Sequence, residues 1–367
     1  MSSKMKAVVY EKACNALDLR ILPWRKPSPK KGEVLVEVRA FGLNFAEISA
    51  RKGEYKDAPP FPFVPGYECS GTISEVGEDV EGFTVGDRVV CFCDFGAYAE
   101  FVCVRKEGCI RIPDSVSYET AASFPVQYCT ALHCLFETGS VRSSTRVLIH
   151  ACAGGVGNAA LQLCNTRKCE TIGTCGSQAK VDLIKEKGVT HAINYRESNY
   201  EEEVRKLYPD GVDVILNSLG GDTIKKDLAL LRAGGRVVCF GGASFNEPEK
   251  GKIMGRLFAI PKVVSMLTLS TLSLLFESKS VCGVNMKIIG DQRPDLLSSE
   301  LQDVLNMIVD GTVTPYVTET IPWTEIGDAQ HRMENRKTTG KIVLIIPENE
   351  PEEEPQPIDE EAKVIDE

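Results

Sequence analysis

The chain has 14 cysteines in 367 residues but no C-x-x-C pair, and their irregular spacing argues against a disulfide framework. Nor does it open with a leader of charged, apolar and small-residue regions, so reduced thiols in the cytoplasm are expected. Its longest apolar stretch, Val263 to Phe276, is broken by Ser265, Thr268, Ser270, Thr271 and Ser273 and falls short of the roughly 20 residues that span a bilayer. A basic excess is also missing. Lys and Arg total 42 against 52 Asp and Glu, a formal charge of -10, and residues 348–367 hold ten acids against Lys363 alone. The remainder is nearly neutral, which argues against a nucleic-acid surface. The tail, low in apolar residues and rich in Glu and Pro, is expected to be disordered.

What is present fits an α/β protein of two domains. Up to about residue 126, alternating or β-branched runs (Met5 to Tyr10, Glu33 to Phe41, Cys69 to Val76, Arg88 to Cys93, Ala97 to Val104) are separated by turn signals. From 127 to 290, short apolar runs alternate with helical patterns, the signature of a doubly wound parallel sheet. The runs are Arg146 to His150, Thr171 to Thr174, His191 to Asn194, Val212 to Asn217 and Arg236 to Phe240. An amphipathic helix over Ser299 to Val309 and a strand over Gly340 to Ile346 follow.

The strand Arg146 to His150, the turn Cys152 to Gly157 and a helix from Asn158 come in the order of a dinucleotide fingerprint. Glycines let the backbone approach a pyrophosphate, and the helix N-terminus offers free N–H groups. Cys152 replaces the first glycine, so Gly154, Gly155, Val156 and Gly157 carry the expectation. An acid at the end of the second strand would bind the ribose 2′-hydroxyl of NAD. This strand ends Thr174-Cys-Gly-Ser177 without one, and Lys180 follows one turn later. Ser177 and Lys180 therefore favour NADP(H), although Lys180 also fits an ordinary helix lysine. His133 and His150, each isolated from other ligands, read as structural histidines.

The glycine turn, Gly86-Asp-Arg-Val89 and Pro65-Gly-Tyr-Glu68 together resemble the medium-chain dehydrogenase/reductase superfamily, over nearly all of residues 4 to 347. Gly42-Leu-Asn-Phe-Ala-Glu47, the Tyr55 loop and Asn335-Arg-Lys-Thr-Thr-Gly340 are similar to its quinone oxidoreductase branch. Gly188-Val-Thr-His191, Leu219-Gly-Gly221 and Val281-Cys-Gly283 resemble a subgroup of vesicle membrane proteins. The resemblance implies a GroES-like substrate domain (1–126 and 291–347) and a Rossmann NADP-binding domain (127–290). Where zinc-dependent members place ligands, this sequence has Asn44, Tyr67 and Val126, so no metal is expected. Carried over from the branch, Asn44 and Tyr55 line a cleft for a quinone or α,β-unsaturated carbonyl, while a second tyrosine of some members falls at Ser49. Asn44 also fits a helix-capping asparagine. The same comparison places Thr130 near the nicotinamide, Tyr195 beside the adenine ribose, Phe240 and Gly241 at the fifth strand, and Arg336 on a phosphate. It further implies a homodimer paired along an edge strand at Cys282 to Ile289. Two readings of Gly255 to Phe276 stay open: a helix packed over the cleft and dimer edge, or an apolar surface that meets vesicle or mitochondrial lipid. Two activities also stay open, an NADPH-dependent quinone or enone reductase and a catalytically weak cofactor-binding protein of membrane traffic.

Overall fold

The computed structural model describes residues 3–242 and 269–347. The acidic tail and residues 255–268 of the apolar segment lie outside the described residues. Strands β1 (Lys4–Val8) and β2 (Ile21–Arg25) form a hairpin-like pair, and β3 (Glu33–Gly42), β4 (Glu68–Val76), β5 (Arg88–Phe92), β6 (Phe101–Arg105) and β7 (Cys109–Arg111) follow. Next come β8 (Arg146–Ile149), β9 (Glu170–Cys175), β10 (His191–Asn194), β11 (Val212–Asn217), β12 (Leu231–Cys239) and β13 (Ser280–Gly283). The last two are β14 (Val317–Pro322) and β15 (Lys341–Ile345).

Two sheets organise the chain. A seven-stranded sheet runs β14-β15-β3-β4-β5-β7 with β6 also on β3, so the C-terminal strands complete the N-terminal domain. Val34, Val36, Val38 and Phe41 of β3 are buried in its core with Ile342 and Leu344 of β15. The second sheet, β10-β9-β8-β11-β12-β13, is parallel throughout. Its central strands β8 and β11 are apolar on both faces because helices cover both, as a parallel sheet requires. Order reverses at β8, between β9 and β11, and in such sheets ligands bind beyond the strand C-termini at that point.

The sequence missed β2, β7 and β14. The edge strand expected over Cys282 to Ile289 is corrected: β13 ends at Gly283, and Met286–Gln292 is a helix. Asn285 starts that helix, its Oδ1 accepting from Lys287 N at 3.1 Å and Ile288 N at 3.4 Å. Just past the end of β5 at Phe92, Cys93 Sγ lies 3.7 Å from that of Cys69, while Cys91 Sγ lies 3.0 Å from that of Cys109. The helix Pro294–Val309 starts five residues earlier than expected, and its Leu297, Leu301, Val304 and Leu305 share a core with the parallel sheet.

Candidate active site

The glycine turn follows β8 directly. Ala151 takes a positive φ of 50°, and Gly154 caps the helix Gly155–Thr166. A Cβ on Gly157 would sit 2.5 Å from Ala151 O and 2.7 Å from Cys152 Cα, both backbone, so only glycine permits this turn. Gly173 on β9 explains why Cys152 is tolerated in place of the first glycine. A Cβ at Gly173 would meet Cys152 Sγ at 2.8 Å; its absence makes room for the thiol. The first intrahelical bond is Asn158 N to Gly154 O at 2.8 Å, which leaves the N–H groups of Gly155, Val156 and Gly157 in the unpaired first turn. A helix end of this kind is able to take an anion.

A second group gathers at the ends of β9 and β10. Ser177 caps the helix Gln178–Glu186, its Oγ accepting from Lys180 N at 3.4 Å. Lys180 Nζ donates to Arg336 O and Thr338 O, each at 2.9 Å, and an ammonium carries three donors, so one remains. Burial lowers the Lys180 pKa; Cys175 opposes this, and Arg196 and Arg336 lower it further. Lys180, Arg196 and Arg336 thus form one basic group. The hydroxyl of the exposed Tyr195 ring lies against Gly176 beside it. Phe240 and Gly241 follow β12; Phe240 N donates to Asn217 O at 3.0 Å, and its ring packs partly against the core.

The third group is buried at the seven-stranded sheet, with Glu68 on β4 and Lys341 on β15. Asn44 precedes the helix Phe45–Arg51, and its backbone N–H donates to Glu47 Oε2 at 2.5 Å. Its Nδ2 donates to Glu68 Oε1 at 2.7 Å and Glu47 Oε1 at 3.3 Å, and its Oδ1 accepts from Lys341 Nζ at 2.8 Å. Lys341 also forms an ion pair with Glu68, both fully buried. Burial pushes the Glu47 carboxyl up to about 8, against the pull of Lys341 and the Asn44 bonds. From Glu68 the network reaches the glycine turn: Val126 N donates to Glu68 Oε2 at 2.8 Å, and the Gln127 amide lies directly over Gly155. Thr130, one turn later, donates its hydroxyl to Val126 O at 2.5 Å. Tyr55 is half-buried, its ring edge-on to Tyr67 with centroids 6.2 Å apart, and burial raises its phenol pKa. Among the described residues, the buried Tyr67 hydroxyl has no partner at hydrogen-bonding geometry, and the Tyr55 phenol is its nearest phenolic neighbour.

The structure therefore brings Asn44, Thr130 and the turn into one network and Ser177, Lys180, Tyr195 and Arg336 into another. Arg196, Gln127 and Lys341 were not anticipated. A cation directly after Tyr195 was the readable signal for Arg196; a lysine in a strand pattern gives none for Lys341. His150 is satisfied, with Nδ1 at 3.1 Å from Thr174 Oγ1 and Nε2 at 3.0 Å from Asp227 Oδ1.

Residues 30–114 match the family described as "Alcohol dehydrogenase GroES-like domain", and residues 155–293 match "Zinc-binding dehydrogenase". The "Synaptic vesicle membrane protein VAT-1 homolog" of Danio rerio is 39% identical over 87% of this chain, which spans 65% of that relative's length. A crystal structure of the human synaptic vesicle membrane protein VAT-1 homolog-like protein superposes with a TM-score of 0.80 at 30% identity, covering 95% of this chain and 100% of that one. The chain belongs to the medium-chain dehydrogenase/reductase family. Within it, the seven-stranded domain is GroES-like and the six-stranded one Rossmann-like. The Escherichia coli quinone oxidoreductase complexed with NADPH is also similar, with a TM-score of 0.81 at 26% identity over 93% of this chain and 100% of that one.

The zinc of the family description does not fit this member. Zinc prefers thiolate and imidazole, and the three equivalent positions hold an amide, a phenol and a valine. Glu68, the remaining carboxylate, is neutralised by Lys341. Among the described residues, no group of three or more His, Cys, Asp or Glu is arranged to hold a metal ion, and no helix is long and apolar enough to cross a membrane.

Proposed function

We propose that this chain is an NADPH-dependent reductase that passes hydride to a quinone or α,β-unsaturated carbonyl without a catalytic metal. The observation that carries this reading is the basic group Lys180, Arg196 and Arg336 at an acid-free β9 end, one strand from an open helix N-terminus. NADPH, when bound, supplies the hydride. The N–H groups of residues 155–157 receive the pyrophosphate, and the spare donor of Lys180, the two guanidinium groups and the Ser177 hydroxyl hold the 2′-phosphate. Tyr195 flanks the adenine ribose, Phe240 and Gly241 border the cofactor at β12, and Thr130 fixes the wall beneath the nicotinamide.

At the reacting end, both N–H donors of Asn44 are already directed at Glu68 and Glu47, so Asn44 acts by shaping the cleft floor. Tyr55, its phenol kept protonated by burial, is the donor to the substrate oxygen as negative charge develops there. Substrates with built-in electrophilicity suit a site that has hydrogen-bond donors in place of a Lewis acid. Titration with both nucleotides tests the cofactor assignment: Lys180→Glu should weaken NADPH at least tenfold, about 1.4 kcal/mol, and leave NADH nearly unchanged. Equal losses overturn it.

A second reading is a weakly catalytic, cofactor-loaded protein that works at a membrane or as a dimer through its apolar edge. It is favoured by Leu272, Leu275 and Phe276, exposed at 62%, 70% and 81% on the helix Thr271–Glu277, beside β13 at the end of the sheet. NADPH binding without oxidation across a panel of small quinones would select this reading over the first.

A further inference from the structure

The pyrophosphate helix ends in a feature that nucleotide binding does not use. Its last turn closes with Lys168 N donating to Asn165 O and Cys169 N donating to Cys164 O, each at 3.1 Å, while Lys168 takes a φ of 54°. This is a Schellman closure, in which the side chains of the first and sixth residues meet over the helix end. In most proteins an apolar pair fills those places. Here both are cysteines, and the closure brings their side chains together over the helix end. Cys164 is fully buried in the Rossmann core, whereas Cys169 is half-buried, packs on the same core and places its Sγ 3.5 Å from Arg142 O. The hydrogen bond from Cys164 leads the causes that hold the Cys169 thiol below its ordinary range. A reachable thiolate backed by a buried second thiol is the arrangement of a peroxide-reactive pair.

We propose that Cys169 and Cys164 form a hydroperoxide-reactive dithiol, with Cys169 as the attacking and Cys164 as the resolving sulfur. The Cys169 thiolate attacks one peroxide oxygen: an S–O bond forms, the O–O bond breaks, and the departing hydroxide takes a proton to give water. Cys164 then attacks the sulfenic sulfur, forming S–S and releasing the oxygen as a second water. Two thiols lose two electrons in total, and the peroxide gains them. The backbone bonds already hold the two residues together, so the helix and its nucleotide-binding end keep their geometry.

The test treats the full chain with hydrogen peroxide and digests it with trypsin without reduction. Cleavage after Arg167 and Lys168 separates the two cysteines, so a peptide holding Cys164 linked to one beginning at Cys169, with fragment ions placing the bond, is the expected product. In Cys164→Ser the sulfenic acid persists and dimedone labels Cys169; in Cys169→Ser, whose site is partly exposed, both linkage and label vanish from this pair. Failure of Cys169 to oxidise in the parent overturns the proposal. So does dimedone labelling of Cys175 in place of Cys169 in Cys164→Ser, or continued oxidation of Cys164 in Cys169→Ser.

Discussion

Lys341 is buried as deeply as any leucine of the core, and its ammonium is shared between Glu68 and Asn44. Removing one partner of a buried pair strands the other charge, at a cost of about 3–5 kcal/mol. Lys341→Met should lower the urea midpoint accordingly, and Lys341→Met with Glu68→Gln should recover most of the loss, because then neither charge remains. Glu47 gives a prediction of opposite character. Its folded pKa, about 8, lies above the 4.5 of an ordinary Glu, so between those values the folded state holds a proton that the unfolded state has lost. Stability from this group is present below about 4.5, falls as pH rises and levels off above about 8. Glu47→Gln should flatten that part of the stability curve measured by urea titration at successive pH values. Neither effect was legible in the sequence. A lysine in a strand reads as a surface residue, and its partner lies 273 positions away. Ser177 and Lys180 were legible because they depend on one local strand end.

At the level of elements, legibility followed how locally each signal is written. The glycine turn has its strand, its glycines and its helix within about twenty residues, and it was readable despite Cys152. The end of β13 was misread because Met286 to Ile289 look like a continuing apolar strand, whereas Asn285 is a helix start. Just before β13, the helix Thr271–Glu277 turns Leu272 and Phe276 outward with no buried residue of its own. A helix of that kind needs a covering surface. Leu272→Asp with Phe276→Asp should convert a dimer to monomer in sedimentation equilibrium if a second copy covers it. Loss of liposome flotation with an unchanged mass in solution would assign it to lipid. An unchanged result in both measurements would remove either role.

For the whole molecule, the two-domain division was legible from texture: alternation in the first third, apolar runs between helices in the middle. The return of β14 and β15 to the first sheet follows the resemblance more than any local pattern, and β14 was not seen at all. Because Lys341 already neutralises Glu68, turnover with NADPH and a quinone should survive dialysis against a strong chelator and gain nothing from added zinc. A loss reversed by zinc would contradict the donor set described above. The bridge between Gly340 and Gly154, in which Gly340 N donates to Ala153 O at 3.0 Å, carries a further implication. Together with the Lys180 contacts to Arg336 and Thr338, it means that the candidate nucleotide site is finished by chain 156 to 158 positions beyond Lys180. The architecture looks modular, yet its binding half is not a self-sufficient module.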